Sequence, residues 1–434
     1  MYTGWIAFAG SELANTARAR AYADRYGVQV ACPPCDGLEQ VLGWPYYETP
    51  EADDAPWWDP SRPESGQLLG VWCTGADGFQ SAPTARTVTD LPGGGGILSG
   101  LRTPHREVRL QFQVLALGDC AASYALGYLS AALKGRLCRP DACGGDVMCM
   151  YACCPGCTPP SGADRLPGEQ ELRTMYDVGV IDGPSETARE YLPGSAGCGP
   201  QGCDPGVPVL LTVEVTLALA NPWIYCQPTD ASGGWVDLSH GSFVPDYDPD
   251  AIYAQCASVA ASPCPSDPNC PPPPFPFFPA LPANACYPTG AMAAQRTLLT
   301  VAPDHVPDWW ESVPVVTIET GETDLRRLTV RFYSNPLGIP CTEQDPDPCS
   351  ACADLNIAYL PKRSTVVLDG RQLRASMSCP GGSGRPVMTG PQGSSFSWPV
   401  FGCGGGWCVE LVAQSPVDGS ARVRVEIAAR VDAA

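Results

Sequence analysis

Cysteine is the residue type best equipped for chemistry in this chain, with 23 copies. Three pairs keep the two-residue gap shared by zinc knuckles and dithiol redox motifs: Cys32-Pro33-Pro34-Cys35, Cys154-Pro155-Gly156-Cys157 and Cys349-Ser350-Ala351-Cys352. A four-thiolate zinc site needs two pairs brought together. Cys32 and Cys35 with partners from the cluster Cys138, Cys143, Cys149, Cys153, Cys154 and Cys157 form the most favourable set. No helix start follows Cys32 to stabilise a thiolate, which argues against a redox role. Structural disulfides are the preferred reading, with structural zinc and buried reduced thiols as alternatives that spacing leaves open. Local stapling is the simplest form of it: Cys403 and Cys408 flank Gly404-Gly405-Gly406 in a hairpin-like loop, while Cys341, Cys349 and Cys352 occupy another. The odd count leaves at least one cysteine without an intrachain partner.

Carboxylates beside tryptophan offer a second chemistry, because paired carboxylates hydrolyse glycosides and indoles stack on sugars. Asp53, Asp54 and Asp59 surround Trp57-Trp58, and Asp308 and Glu311 flank Trp309-Trp310. With 46 acidic residues in the chain such neighbours arise easily, so Trp57, Trp58, Trp309 and Trp310 read first as loop or subunit-interface anchors and second as glycan contacts. His105, His240 and His305 stand in loop-like settings beside Pro, Gly or acidic residues. No GxSxG elbow, HExxH helix or P-loop occurs, and Gly93–Gly96 reads as a hairpin tip, not a phosphate cradle. No enzyme activity, confident metal site or cofactor is expected.

The composition sets the frame for these residues. Forty-eight prolines and 46 glycines with 17% charged residues imply short strands and punctuated loops, and 434 residues suffice for two or three cores. A net charge of −20 with no basic stretch argues against tight phosphate binding. Residues 207–220, the longest apolar run, alternate and contain Glu214, so no membrane insertion is expected. Residues 1–27 lack the basic start, apolar run and cleavage site of a secretion signal. Many cysteines without such a signal fit a protein made in a host cytoplasm and oxidised after release, as a part of a virion is.

Several elements stand out. Residues 107–117 alternate as a half-buried strand, with Val108, Leu110, Phe112, Val114 and Ala116 on one face. Asp119 then opens a helix with Ala122, Leu126, Leu129 and Leu133 at helical spacing, and Gly135 ends it. Leu211, Val213, Val215 and Leu217 form a second alternating strand, ended by Asn221-Pro222. Residues 138–206 read as a Cys-rich loop insertion, and 241–285 as a Pro/Cys-rich linker. Beyond it, strands are expected at 315–318, 328–332, 364–368, 373–377, 407–412 and 422–427, with Asp369-Gly370 and Asp418-Gly419 as hairpin turns. The fold class is mainly β with some α: an N-terminal sheet or sandwich domain with a packed helix over 1–240, the linker, and a C-terminal β-sandwich over 286–434.

This order resembles the distal tail (Dit-like) proteins of siphophages, as in the minor tail proteins of actinobacteriophages. Two regions carry the likeness. Residues 102–135 (RTPHREVRLQFQVLALGDCAASYALGYLSAALKG) with 210–225 (LLTVEVTLALANPWIY) are similar to that family's strand, helix and closing strand. Residues 353–377 and 396–413 are similar to a galectin-like C-terminal domain. The resemblance implies a structural baseplate protein at the distal end of the tail that forms a homo-hexameric ring. It also implies the tail tube protein, a hub or tape-measure complex and receptor-binding proteins as partners, with DNA only passing through. The alternative is a carbohydrate-binding minor tail protein that recognises the host receptor.

Overall fold

A computed structural model describes residues 2–30, 35, 37–43, 46–135, 147–155, 169–192, 207–248, 252, 292–303, 306–307, 309–386, 388–390, 395, 397–402 and 405–433. The protein is mainly β with some α. It divides into two units, Met1–Gln227 with Arg430–Ala434, and Pro228–Ala429. Of the stretch read as a linker, residues 241–248 and Ile252 are described, and the rest lies outside the described residues.

The first unit holds β1 (Tyr2–Phe8), β2 (Ser11–Asn15), α1 (Thr16–Asp24), the short α2 (Leu38–Val41), β3 (Leu68–Asp77), β4 (Val88–Asp90), β5 (Gly96–Leu98), β6 (Arg106–Leu117), α3 (Asp119–Leu133), β7 (Met148–Tyr151), β8 (Leu172–Met175), β9 (Val178–Tyr191), β10 (Pro208–Leu219) and β11 (Ile224–Cys226). Its central sheet runs β3-β6-β10-β9, all antiparallel. The alternation seen in sequence sets the register: Val213 faces Phe112 and Val215 faces Leu110, so both strands' apolar sides fall on one face. Those side chains are buried. α3 packs on β6 and β9, and α1 on β3. At Gly70, φ is +148° and an added Cβ would lie 2.7 Å from the backbone of Ala19, so glycine lets β3 pass against α1. A second sheet runs β2-β1-β7-β8-β11, and Ile224 and Tyr225 of β11 pair with Val431 and Arg430 at the chain's end.

Three expectations are corrected in this unit. Gly118, with φ at 88°, is the cap of α3, and Asp119 is its first helical residue; the Asp119 carboxylate accepts hydrogen bonds from Arg189 Nη1 (2.6 Å) and Tyr191 Oη (3.1 Å). The buried stripe of α3 is Ala121, Ala122, Ala125, Tyr128, Leu129, Ala132 and Leu133, leaving Leu126 half-buried. The Cys-rich stretch 138–206 is no mere loop, since it supplies β7, β8 and the 14-residue β9. β9 escaped detection because it is an edge strand with most side chains exposed, so burial imposes no period on it.

The second unit comprises β12 (Thr229–Asp230), β13 (Val236–Asp237), β14 (Ser242–Tyr247), β15 (Met292–Val301), β16 (Glu311–Glu319), β17 (Leu325–Asn335), β18 (Ala353–Leu360), β19 (Thr365–Asp369), β20 (Arg374–Cys379), β21 (Gly382–Gly384), β22 (Met388–Thr389), β23 (Gly406–Gln414) and β24 (Arg422–Val431), whose last two residues belong to the first unit. One sheet runs β14-β15-β23-β17-β18-β22; the other includes β24-β16-β19-β20-β21, with β12 and β13 also on β24. A single apolar cluster draws Leu299, Val330, Phe332, Val409 and Leu411 from the first sheet and Val316, Ile318, Leu368, Val423 and Val425 from the second, which makes the unit a sandwich. Asp369-Gly370 lies between β19 and β20, which pair as expected of a hairpin. Asp418-Gly419 does not close a hairpin: β23 is already paired on both sides, with β15 and β17, so the chain crosses to the other sheet.

The opposite face of the first sheet carries a buried ion ladder. Register aligns Glu410 of β23, Arg331 of β17 and Asp354 of β18 in one row. Arg331 binds Asp354 at 2.7 Å and Glu410 at 3.2 Å, Tyr333 donates to Glu410 at 2.6 Å, and Arg296 pairs with both Glu410 and Asp345. Burial works against the Arg331 cation, yet Tyr247, Asp354 and Glu410 hold its pKa above the ordinary value; burial first and Glu410 second push the Tyr333 hydroxyl up. Removing this cation takes a partner from each of two buried carboxylates, Asp354 and Glu410, with Arg296 remaining on Glu410. Arg331→Met is therefore expected to cost about 3–5 kcal/mol, read as a lower denaturant midpoint for the second unit.

Candidate functional site

The side chains singled out in sequence scatter instead of converging. Cys35 is joined to Cys154, with Cα atoms 5.7 Å apart, and so links the loop after α1 to the turn after β7. This brings together two members of the expected zinc set, as a disulfide and not as metal ligands. Cys149 lies in β7 and Cys153 in the turn after it, while Cys32, Cys138, Cys143 and Cys157 lie outside the described residues. Among the described residues no group of three or more His, Cys, Asp or Glu side chains is placed to hold a metal ion.

The proposed Cys403–Cys408 hairpin staple is overturned: Cys408 bonds Cys341, with Cα atoms 5.7 Å apart. Their sulfurs sit with Tyr333 in a small buried cluster, and the bond fastens the helical turn Cys341–Gln344 to β23. Cys349 is also disulfide-bonded, whereas Cys352 is an exposed thiol, so the pair at 349 and 352 does not act as a unit. Burial pushes the Cys226 thiol up, away from a reactive thiolate.

The tryptophans separate by burial. Trp57 is only 4% exposed; its indole N–H donates to the Leu68 carbonyl at 3.1 Å and its ring meets Tyr128 edge-on. It is thus committed to its own unit. Trp58 and Trp310 are half-buried, and Trp309 is 81% exposed. Asp53, the carboxylate nearest to a hydrolase candidate, is buried and occupied: it accepts from Tyr22 Oη and from the Glu48 amide, each at 2.7 Å. Burial and that bond push the Tyr22 hydroxyl up. Arg18 completes the knot, bound to Glu12 at 2.9 Å and lying over the Tyr47 and Trp57 rings. This network fixes the segment that carries Trp57 against α1. Asp59 caps Ser61, Asp308 lies outside the described residues, and Glu311 opens β16. His105 and His240 contact Glu107 and Asp237 at 3.5 Å in exposed settings, and His305 lies outside the described residues.

The feature that geometry does single out is the arm between β3 and β6. Among the described residues β4 and β5 pair only with each other, Val88 opposite Leu98 and Thr89 opposite Ile97, and an Ala85–Arg102 bridge extends the ladder. Gly93–Gly95 form the tip, where Gly94 and Gly95 have φ of 95° and 77°. At about 3.3 Å per residue the arm reaches roughly 20 Å beyond the bridge. Val88, Ile97, Leu98 and Leu101 are each more than half exposed. In sequence the arm's large apolar residues, Val88, Leu91, Ile97, Leu98 and Leu101, follow no strand or helix period.

No protein-family model matches the chain, and no curated protein matches it. Among solved structures it is similar to the Dit protein of phage SPP1, described as a paradigm of the hub adsorption apparatus of phages infecting Gram-positive hosts: 10% identity and a TM-score of 0.32 over 85% of this chain and 94% of that one. It is also similar to chains of the phage p2 baseplate in its activated conformation, with Sr (10% identity, TM-score 0.34) and with Ca (9% identity, TM-score 0.33), each over 87% of this chain and 94% of the other. Similarity at this level carries no weight for function.

Peptide mapping without reductant is expected to recover Cys35 linked to Cys154 and Cys341 linked to Cys408. Reduction should then cost about 4–5 kcal/mol per bridge in the chain-entropy account, for closed loops of 119 and 67 residues. Full alkylation of these four cysteines without reductant would contradict the assignment.

Proposed function

We propose that this chain is a structural protein of a phage tail tip, a distal tail or baseplate component that joins copies of itself and other tail proteins and performs no bond-making. The observation that carries the reading is the arm at residues 85–102. A two-stranded hairpin is marginal in water by itself, and this one also exposes five large apolar side chains, so its stability calls for a partner surface. A second copy of the chain is the partner we assign, in a closed ring of the hexameric kind that the resemblance of residues 102–135 and 210–225 implies.

The opposite edge of the central sheet suits that assignment. β9 meets β10 with three register irregularities and carries the ion cluster Arg189–Glu186–Asp119, at 2.8 and 2.6 Å. Bulges and charges on an edge strand deter open-ended pairing, which a closed ring requires. On this reading the first unit forms the ring below the tail tube protein and above the hub. The second unit is a galectin-like platform for receptor-binding proteins, and the net charge of −20 per copy lets DNA pass without adhering. Among the described residues no helix is long and apolar enough to cross a membrane.

Sedimentation of the purified chain at about 10 μM tests the assignment, since each of Ile97 and Leu98 contributes about 1.5–3 kcal/mol when fully buried. The intact chain should form a closed oligomer, and Ile97→Asp with Leu98→Asp should return it to monomer without altering its circular dichroism. A monomeric intact chain, or an oligomer unaffected by the double substitution, would overturn it.

A further inference from the structure

The second unit contains a cleft of about 500 Å³ that no part of the assembly reading uses. One wall is built by β13. Val236 packs against the sandwich core, so the alternation of a strand sends Trp235 and Asp237 to the other side, toward solvent. Asp237 lies opposite Arg422 in the β13–β24 register, and both line the cleft. The Arg422 guanidinium lies over one face of the Trp235 ring, 4.5 Å from its centre, and is held by Glu319 at 2.6 Å; the indole stands outside the cleft's lining, behind Arg422, and keeps 38% of its surface exposed. The far wall is the Glu322–Arg363 pair, bound through contacts of 2.5–3.0 Å.

The floor is backbone. Gly321 has φ of +68°, and a Cβ there would come within 2.5 Å of Ser420 Oγ and 2.7 Å of Asp418 Oδ1, so the floor admits no side chain. Thr320 and Ser364 anchor it by donating to the Pro361 carbonyl, each at 2.7 Å. These bonds preform the cleft.

The charges select the ligand. Both guanidiniums are already spent on carboxylates, so an anion finds no uncommitted cation, and three carboxylates against two guanidiniums leave one negative charge. What remains is a polar trough of acceptors and N–H donors beside an exposed indole, a surface matched to a ligand rich in hydroxyls with an apolar ring face. We propose that this cleft binds a neutral oligosaccharide, with hydroxyls bonded to Asp237, Glu319 and Glu322 and one sugar ring reaching past the cleft's rim to stack on the face of Trp235 that Arg422 leaves open. The proposal is independent of the arm, and purified protein tests it without any assembled tail.

Tryptophan-fluorescence titration of the full chain with cellotetraose, maltotetraose, β-1,4-galactotetraose and α-1,5-arabinotetraose, each to about 10 mM and beside a sulfated tetrasaccharide as the anionic control, decides it. At least one should bind saturably. Trp235→Ala should weaken that sugar by about tenfold or more, Asp237→Asn by a smaller factor, and Trp235→Phe should retain part of the affinity; a tenfold loss corresponds to about 1.4 kcal/mol. Trp309→Ala, at the far more exposed indole, should change nothing. No saturable binding by any of the four, binding unchanged in Trp235→Ala, or binding confined to a sulfated tetrasaccharide would each overturn the proposal.

Discussion

The structure of the first unit depends on one register. β6 and β10 pair without a slip from Arg106 opposite Leu219 to Leu117 opposite Pro208. Because side chains alternate along a strand, a shift of one residue would turn Val213, Val215 and Leu217 outward and bring Thr212, Glu214 and Thr216 into the core. The apolar face that this register creates gives α3 its seat and leaves β3 and β9 as the lateral strands of the sheet. The two sides of the sheet follow from it: the arm leaves from the β3 side, and the charged, bulged β9 closes the other.

Where burial imposes a period, the sequence is readable. β6, β10, β16, β17, β19, β20, β23 and β24 are bounded on at least one side by a core, and their apolar pattern marks them within a few residues, whereas β18 and the short β21 and β22 were not marked. β9 sits at an edge and shows no such pattern, although at 14 residues it is longer than β10, with which it pairs. The turn signal at Asp418-Gly419 misled for another reason: a local dipeptide reports a tight turn, but whether the flanking strands pair depends on the free edges available, and β23 had none.

The side chains with chemical potential teach the same lesson at closer range. Cys408 and Cys403 are five residues apart, yet register brings Cys408 opposite Tyr333, beside the turn that carries Cys341, and the bond follows space instead of sequence. Trp57 and Asp53 look like a binding pair when written out, but both are consumed by the Arg18–Tyr22–Glu12 knot that holds their own segment. The Glu410–Arg331–Asp354 row could not be read because its three members come from separate strands whose pairing no local pattern discloses. Trp235 stayed hidden likewise, since its setting is made by Arg422 and Glu319 from distant parts of the chain. Polar networks in this protein stabilise the scaffold, and five of its exposed large apolar side chains, Val88, Leu91, Ile97, Leu98 and Leu101, gather on the arm as an apolar surplus.

The central claim, that this surplus exists for assembly at one end of a viral tail, is tested most directly by electron microscopy of intact particles labelled with gold-conjugated antibody against the chain. The account predicts label confined to the distal tip, in several copies around the tail axis. Label on the capsid, along the tube, or nowhere on the particle would contradict it.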